Sequence, residues 1–214
     1  VKYMSIIASK KSLLLASKHL ATNDPVLKTV IDRFGVCVIE PHTNYYQELV
    51  ESIIGQQLSV KAGAAIRKRF VALFGGTFPK PEAILEKPVE ELRTAGLSGA
   101  KAGYIRDIAR RVIEGSLKFD TIDSLSNEEV ITELTAVKGI GVWTAHMFMM
   151  FCMGRLDILP VGDLGIKNGI MRLYRLPVIP TPGQMLSIAV QGSWTPYQSV
   201  AAWYIWQSLD NAPK

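Results

Sequence analysis

Cysteine is almost missing from this 214-residue chain, which carries only Cys37 and Cys152. Two thiols cannot furnish a four-cysteine zinc or iron–sulfur site, and they argue against a disulfide-stapled secreted scaffold. Long apolar runs are also lacking: no stretch reaches membrane-spanning length without interruption. Val1 to Ser17 has neither the hydrophobic region nor the small-residue cleavage site of a signal peptide. The expectation is a soluble intracellular protein in a reducing compartment. Histidine is scarce too, and His19, His42 and His146 share no metal-ligand spacing. Internal repeats, heptad arrays and low-complexity blocks are absent. Acidic residues are in the minority, 19 against 24 Lys and Arg, so the formal charge is +5 and suits a phosphate-bearing partner. A hydrophobic content of 48% is ample for one core or for two small lobes, and excludes a disordered chain.

What is present is helical spacing, with clear punctuation between segments. Asp24-Pro25 starts a helix that runs towards Gly35, with aspartate as N-cap and proline in the first turn. Tyr46, Leu49, Val50, Ile53 and Ile54 form an apolar stripe that breaks at Gly55-Gln56-Gln57. Ser59 caps the next helix, with Ala62, Ile66, Phe70 and Leu73 inward and Arg67, Lys68 and Arg69 near its polar side. A Pro- and Gly-rich passage from Gly75 to Gly99 holds short pieces such as Val89 to Ala95. A long amphipathic helix then covers Lys101 to Glu114. Ser126-Asn127-Glu128-Glu129 is a capping box for a helix ending near Val137, and Gly139-Ile140-Gly141 separates it from a second helix through Met150. Further helices begin near Asp163, Pro182 and Pro196. The chain reads as all-α.

In Leu134-Thr135-Ala136-Val137-Lys138-Gly139-Ile140-Gly141-Val142-Trp143, apolar residues flank a G-I-G turn that lets two helices pack closely. The glycines permit backbone conformations that other residues resist. The main-chain amides of Gly139, Ile140, Gly141 and Val142 then stand at the start of the second helix, where unpaired donors and the positive dipole end suit a phosphate. Such contacts hold register on a duplex without reading its sequence. The whole segment resembles the helix-hairpin-helix pattern L-x-x-[VL]-x-G-[IV]-G. Twenty positions beyond Trp143 lies Asp163, in Pro160-Val161-Gly162-Asp163-Leu164. Its place after a Pro/Gly loop explains it as a helix cap. Hairpin, loop and carboxylate together resemble the catalytic core of the helix-hairpin-helix DNA glycosylases, in which an aspartate at this place is required for base removal.

The resemblance implies a two-lobed all-α fold with a cleft between lobes: a central lobe over 38–156 bearing the hairpin at 134–145, and a second lobe made from 1–37 and 157–214. It implies double-stranded DNA with damaged bases as the partner, a monomer, no required cofactor, and a hairpin Na+ or K+ held by the carbonyls of Thr135, Val137 and Ile140. Family members that also cut the strand place a lysine where Trp143 stands, and many carry four C-terminal cysteines. Both are missing here, which favours the monofunctional DNA-3-methyladenine glycosylase II branch. Breaking an N-glycosidic bond builds positive charge on the sugar, which an anion such as Asp163 stabilises. A cationic alkylated purine departs as a neutral base, so one carboxylate suffices. Asp157 is the reserve candidate, more plausibly a support of the loop.

Base extrusion needs a gap-filler and a pocket. Gly55-Gln56-Gln57-Leu58-Ser59 resembles the family's wedge segment, with Gln57 at the intercalating position and Gln56 beside it, although an ordinary polar turn explains these residues equally well. Trp143 and Tyr197 match aromatic pocket positions that stack on a cationic base, and Met147 replaces a tyrosine. Trp194, Trp203 and Trp206 read as core or flank, and Arg67 to Arg69, Arg106, Arg110 and Arg111 as solvated helix faces. Two other readings stay open: a glycosylase for a deaminated or mismatched base, and a DNA-binding protein that has lost catalysis.

Overall fold

A computed structural model describes residues 5–209. The helices are α1 (Lys10–Asn23), α2 (Pro25–Phe34), α3 (Tyr45–Gly55), α4 (Val60–Ala72), α5 (Pro81–Glu86), α6 (Val89–Arg93), α7 (Gly99–Ile113), α8 (Asn127–Thr135), α9 (Val142–Met147), α10 (Leu164–Leu173), α11 (Pro182–Gln191) and α12 (Gln198–Gln207). A π-helical turn, Phe148–Cys152, continues from α9, and Ile122–Ser124 forms a 3-10 turn. Among the described residues, extended pairing is limited to an isolated bridge between Ile7 and Arg155. The helix starts follow local chemistry: Asp24, Ser59, Ser98, Ser126 and Asp163 each accept a backbone amide of the helix that they cap.

The chain forms two compact units, Asn44–Ala145 and the pair Val1–Thr43 with His146–Lys214. Residues 38–43 and 146–156, grouped with the central lobe on sequence, thus lie in the unit built from the chain ends. Backbone pairing explains this: His42 N donates to Cys152 O, Ala8 N to Gly154 O, and Leu156 N to Ile6 O. Residues 1–4 and 210–214 of the expected terminal lobe fall outside the described residues.

In the unit Asn44–Ala145, α7 packs against α3, α5 and α6, with Ile105, Ile108 and Ala109 buried. In the other unit α12 packs against α1, α2 and α10. It is apolar nearly all round, as a central helix must be: Val200, Ala201, Ala202, Tyr204, Ile205 and Trp206 are all buried. The Tyr204 hydroxyl binds Ser17 Oγ, Gly35 O and Cys37 N, joining α12 to α1 and to the segment after α2. Cys37 and Cys152 are both buried free thiols, and burial pushes the Cys37 pKa well above its ordinary value.

Asp24 is a heavily used polar group of this unit. Its Oδ1 accepts Val26 N and Leu27 N at 2.9 and 3.0 Å, and its Oδ2 accepts Tyr174 Oη–H at 2.5 Å and Trp194 Nε1–H at 2.8 Å. Gly192 passes so near that a Cβ there would lie 2.5 Å from Asp24 Oδ2. Burial and the neighbouring Asp24 carboxylate raise the Tyr174 pKa, so its hydroxyl stays a donor. Asp24→Ala removes the cap and leaves two donors without their acceptor. A loss of about 3–5 kcal/mol in urea unfolding is expected, against about 1 kcal/mol for Ser126→Ala at an exposed cap.

Candidate functional site

The hairpin runs from α8 into α9. Leu134, Val137, Ile140 and Ala145 are buried on its inner side, whereas Val142 and Trp143 are 52% and 50% exposed, so its outer face is open rather than packed. The two glycines differ in kind. Gly139 has φ +85°, and a Cβ there would fall 2.2 Å from Cδ2 of Tyr104, so both backbone and space demand glycine. Gly141 has no positive φ and open space where a Cβ would stand. The sequence-based expectation that both glycines meet a conformational need therefore holds for Gly139 alone.

Sequence reasoning missed what holds this turn. Asp107, a buried carboxylate of α7, accepts Lys138 N at 3.1 Å and pairs with Arg110 at 2.5 Å and Arg111 at 3.0 Å. One turn earlier Tyr104 covers Gly139, and one turn before that Lys101 Nζ donates to Ile54 O at 2.9 Å and Gln56 O at 2.7 Å. The signal was the spacing 101, 104, 107, which puts three functional side chains along one helix face. Burial lowers the Lys101 pKa. Gln56 in turn donates from Nε2 to Gly139 O at 3.0 Å, so the turn after α3 and the hairpin turn are directly bonded. Gln57 stands exposed at the tip with φ +58°, in the left-handed region.

Thr135 ends α8, and Val137 and Ile140 follow in the turn. Carbonyls beyond a helix C-terminus lack intrahelical donors, and Val137 O accepts Ile140 N at 3.2 Å. This oxygen-only donor set fits a hard monovalent cation. Among the described residues no group of three or more His, Cys, Asp or Glu side chains is arranged to hold a metal.

In the unit built from the chain ends, Asp163 is the N-cap of α10, and its Oδ1 accepts Ile166 N at 2.7 Å and Trp206 Nε1–H at 3.0 Å. It keeps 9% of its surface, low but not sealed. Asp157 binds the start of α12 instead, accepting Gln198 Nε2 at 2.9 Å and Gln198 N at 3.4 Å. Tyr197 is half-buried at the α12 N-cap, its ring edge-on to His19 with centroids 5.2 Å apart. Met147 is half-buried at the end of α9, next to His146, whose pKa burial lowers. Trp194 and Trp206 are buried, as core residues should be, but Trp206 also touches Asp163, a contact without sequence signature.

Several arginines are not simply solvated faces. Arg69 Nε donates to Ala95 O at 2.8 Å, Arg67 pairs with Glu51 at 2.7 Å, and Arg106 Nη1 serves the carbonyls of Ile84, Leu85 and Lys87. Each pins a turn or a neighbouring helix. For Asp107, burial opposes ionisation, but the hydrogen bonds from Arg110, Lys138 N and Arg111 outweigh it and hold the carboxyl below its ordinary pKa. A group depressed in the folded state stabilises above its unfolded pKa, about 3.9, and that stability is lost as pH falls through the lower folded value. The stability gap between wild type and Asp107→Asn, about 1–2 kcal/mol, is expected to stay level from about pH 7 to 5 and to close below about pH 4, as read by urea unfolding against pH.

Comparison with known proteins gives the geometry a context. Residues 50–192 match the family model described as the HhH-GPD superfamily base excision DNA repair protein. The chain is 39% identical to DNA-3-methyladenine glycosylase 1 of Schizosaccharomyces pombe, over 76% of this chain and 72% of that protein. It is 33% identical to the putative DNA-3-methyladenine glycosylase YfjP of Bacillus subtilis, over 86% and 70%. The solved structure of S. pombe Mag1 in complex with abasic DNA superposes with a TM-score of 0.79 at 35% identity, covering 94% of this chain and 100% of that one. A Bacillus halodurans DNA-3-methyladenine glycosidase gives 0.81 at 40% identity, covering 90% and 88%. With its hairpin, its capping aspartate and a family match spanning most of its length, this chain belongs to the HhH-GPD superfamily of base excision DNA repair proteins.

Proposed function

We propose that the protein is a monofunctional DNA glycosylase of the DNA-3-methyladenine glycosylase II type, which extrudes an alkylated purine from duplex DNA and hydrolyses its N-glycosidic bond to leave an abasic site. The observation that carries this reading is the Asp163 carboxylate, held at a helix N-terminus by Ile166 N–H and the Trp206 indole N–H, with 9% of its surface retained. The names of its relatives supply the lesion class.

Each step has a residue. The amides of Gly139, Ile140, Gly141 and Val142 hold a strand phosphate, with Val142 and Trp143 on the open face. The carbonyls of Thr135, Val137 and Ile140 would hold a monovalent cation, which when bound supplies positive charge for the phosphate. Gln57, preset in a left-handed conformation on a turn held by Lys101 and Gln56, fills the gap left by the flipped nucleotide. Trp143, Tyr197 and Met147 are the candidate contacts for the extruded base, since an aromatic face favours a cationic purine over a neutral one. As the bond to the base lengthens, the deoxyribose gains oxocarbenium character. Asp163 stabilises that charge and orients the attacking water. The electron pair of the breaking bond passes to the purine, which departs neutral, so no acid is needed. With Trp143 where strand-cutting relatives have a lysine, no amine at that position can form a Schiff base with the sugar. No cofactor takes part.

The test is release of methylated base from alkylated DNA. Asp163→Asn should lose about a hundredfold or more in rate while binding abasic duplex within about twofold of wild type. Neither protein should nick the strand or be trapped by borohydride. Equal release by both proteins refutes the role of Asp163, and no release by either favours a binding-only protein.

A further inference from the structure

The unit built from the chain ends contains two aspartates constructed alike. Asp24 and Asp163 each cap a helix, each accept an indole N–H, from Trp194 and Trp206, and each have a glycine pressed against the pair. They differ in exposure: Asp24 is 2% exposed, whereas Asp163, whose Oδ1 accepts both Ile166 N and Trp206 Nε1, is 9% exposed.

The sequence gives up helix stability to bring Trp206 against Asp163. Within the ten residues of α10, Gly165 and Gly169 face α12. A Cβ at 169 would lie 2.3 Å from Ile205 Cγ2, so the close approach of the two helices depends on its absence. A Cβ at 165 would lie 3.0 Å from both Asp163 Oδ1 and Trp206 Nε1. Each glycine disfavours the helix relative to alanine, and each makes room for Trp206 to reach Asp163. On its other flank the indole meets Phe151, ring centroids 5.8 Å apart, in the π-helical turn, a distortion found often at functional sites. An N-cap needs only the bond from Ile166. The second donor is neutral, so it fixes the carboxylate without itself adding a counter-charge that would weaken attraction for a cation.

We infer that Trp206 is a positioning residue for the reaction: its indole N–H, admitted by Gly165, sets the orientation in which the Asp163 carboxylate meets the cationic sugar. The inference rests on the reading of Asp163 given above. Its test compares Trp206→Phe, Gly165→Ala and Asp163→Asn in single-turnover base release and in binding to two duplexes, one with a neutral tetrahydrofuran and one with a cationic pyrrolidine in place of the deoxyribose. Trp206→Phe should slow release by about ten- to fiftyfold and weaken the pyrrolidine duplex by a similar factor, with the tetrahydrofuran duplex within about twofold. Gly165→Ala keeps the indole and should move the same two readouts by about threefold, which serves even if Trp206→Phe folds poorly. An unchanged ratio of pyrrolidine to tetrahydrofuran affinity in both variants, while Asp163→Asn abolishes release, overturns the role of Trp206 and leaves Asp163 in place. Wild-type release by Asp163→Asn overturns both.

Discussion

The face of α7 that carries Lys101, Tyr104 and Asp107 bears on the turn after α3 and on the hairpin turn alike. The critical contact is the approach of Tyr104 to Gly139, closer than any residue with a Cβ would allow. Asp107 holds the adjoining Lys138 amide, and Gln56 ties the Gly139 carbonyl to the neighbouring turn. Two irregular segments far apart in sequence thus share one rigid backing, and irregular backbone needs such backing because its amides and carbonyls have no ladder of their own. Precision in a site built from turns comes from the regular element behind them.

Carboxylates organise the other unit. Asp24 and Asp163 show one local device, an aspartate cap sealed by an indole and relieved by a glycine, serving two ends. With donors on both oxygens and almost no exposure, the device is a rivet. With some surface retained, as at Asp163, it presents a negative edge. In the proposed role, capping and chemistry are therefore not rival explanations of Asp163, because one carboxylate can cap α10 and still present an edge to a ligand.

Much of this was legible because caps are local. Asp24-Pro25, Ser59, Ser126 and Asp163 announce their helices through chemistry confined to three or four residues. Helix α1 was harder to see: its capping box pairs Ser9 with Ser12 in place of the usual Glu or Gln. The hairpin and its aspartate stood out through their resemblance to a family, yet that pattern gave Gly139 and Gly141 equal weight where only the first is sterically bound. The supports were hidden. Lys101 and Gln56 lie 45 residues apart, and Trp206 and Asp163 lie 43 apart, so no window along the chain contains either bond. The arginines misled for the same reason, since a guanidinium bonded to distant carbonyls looks, in sequence, like any solvated charge.

The two thiols have a consequence of their own. Soft electrophiles that alkylate DNA also attack thiolates, and the thiolate is the reactive form. Cys37 and Cys152 keep 1% and 4% of their surface, and burial holds Cys37 protonated. The chain's two thiols, its softest nucleophiles, are packed away from such reagents.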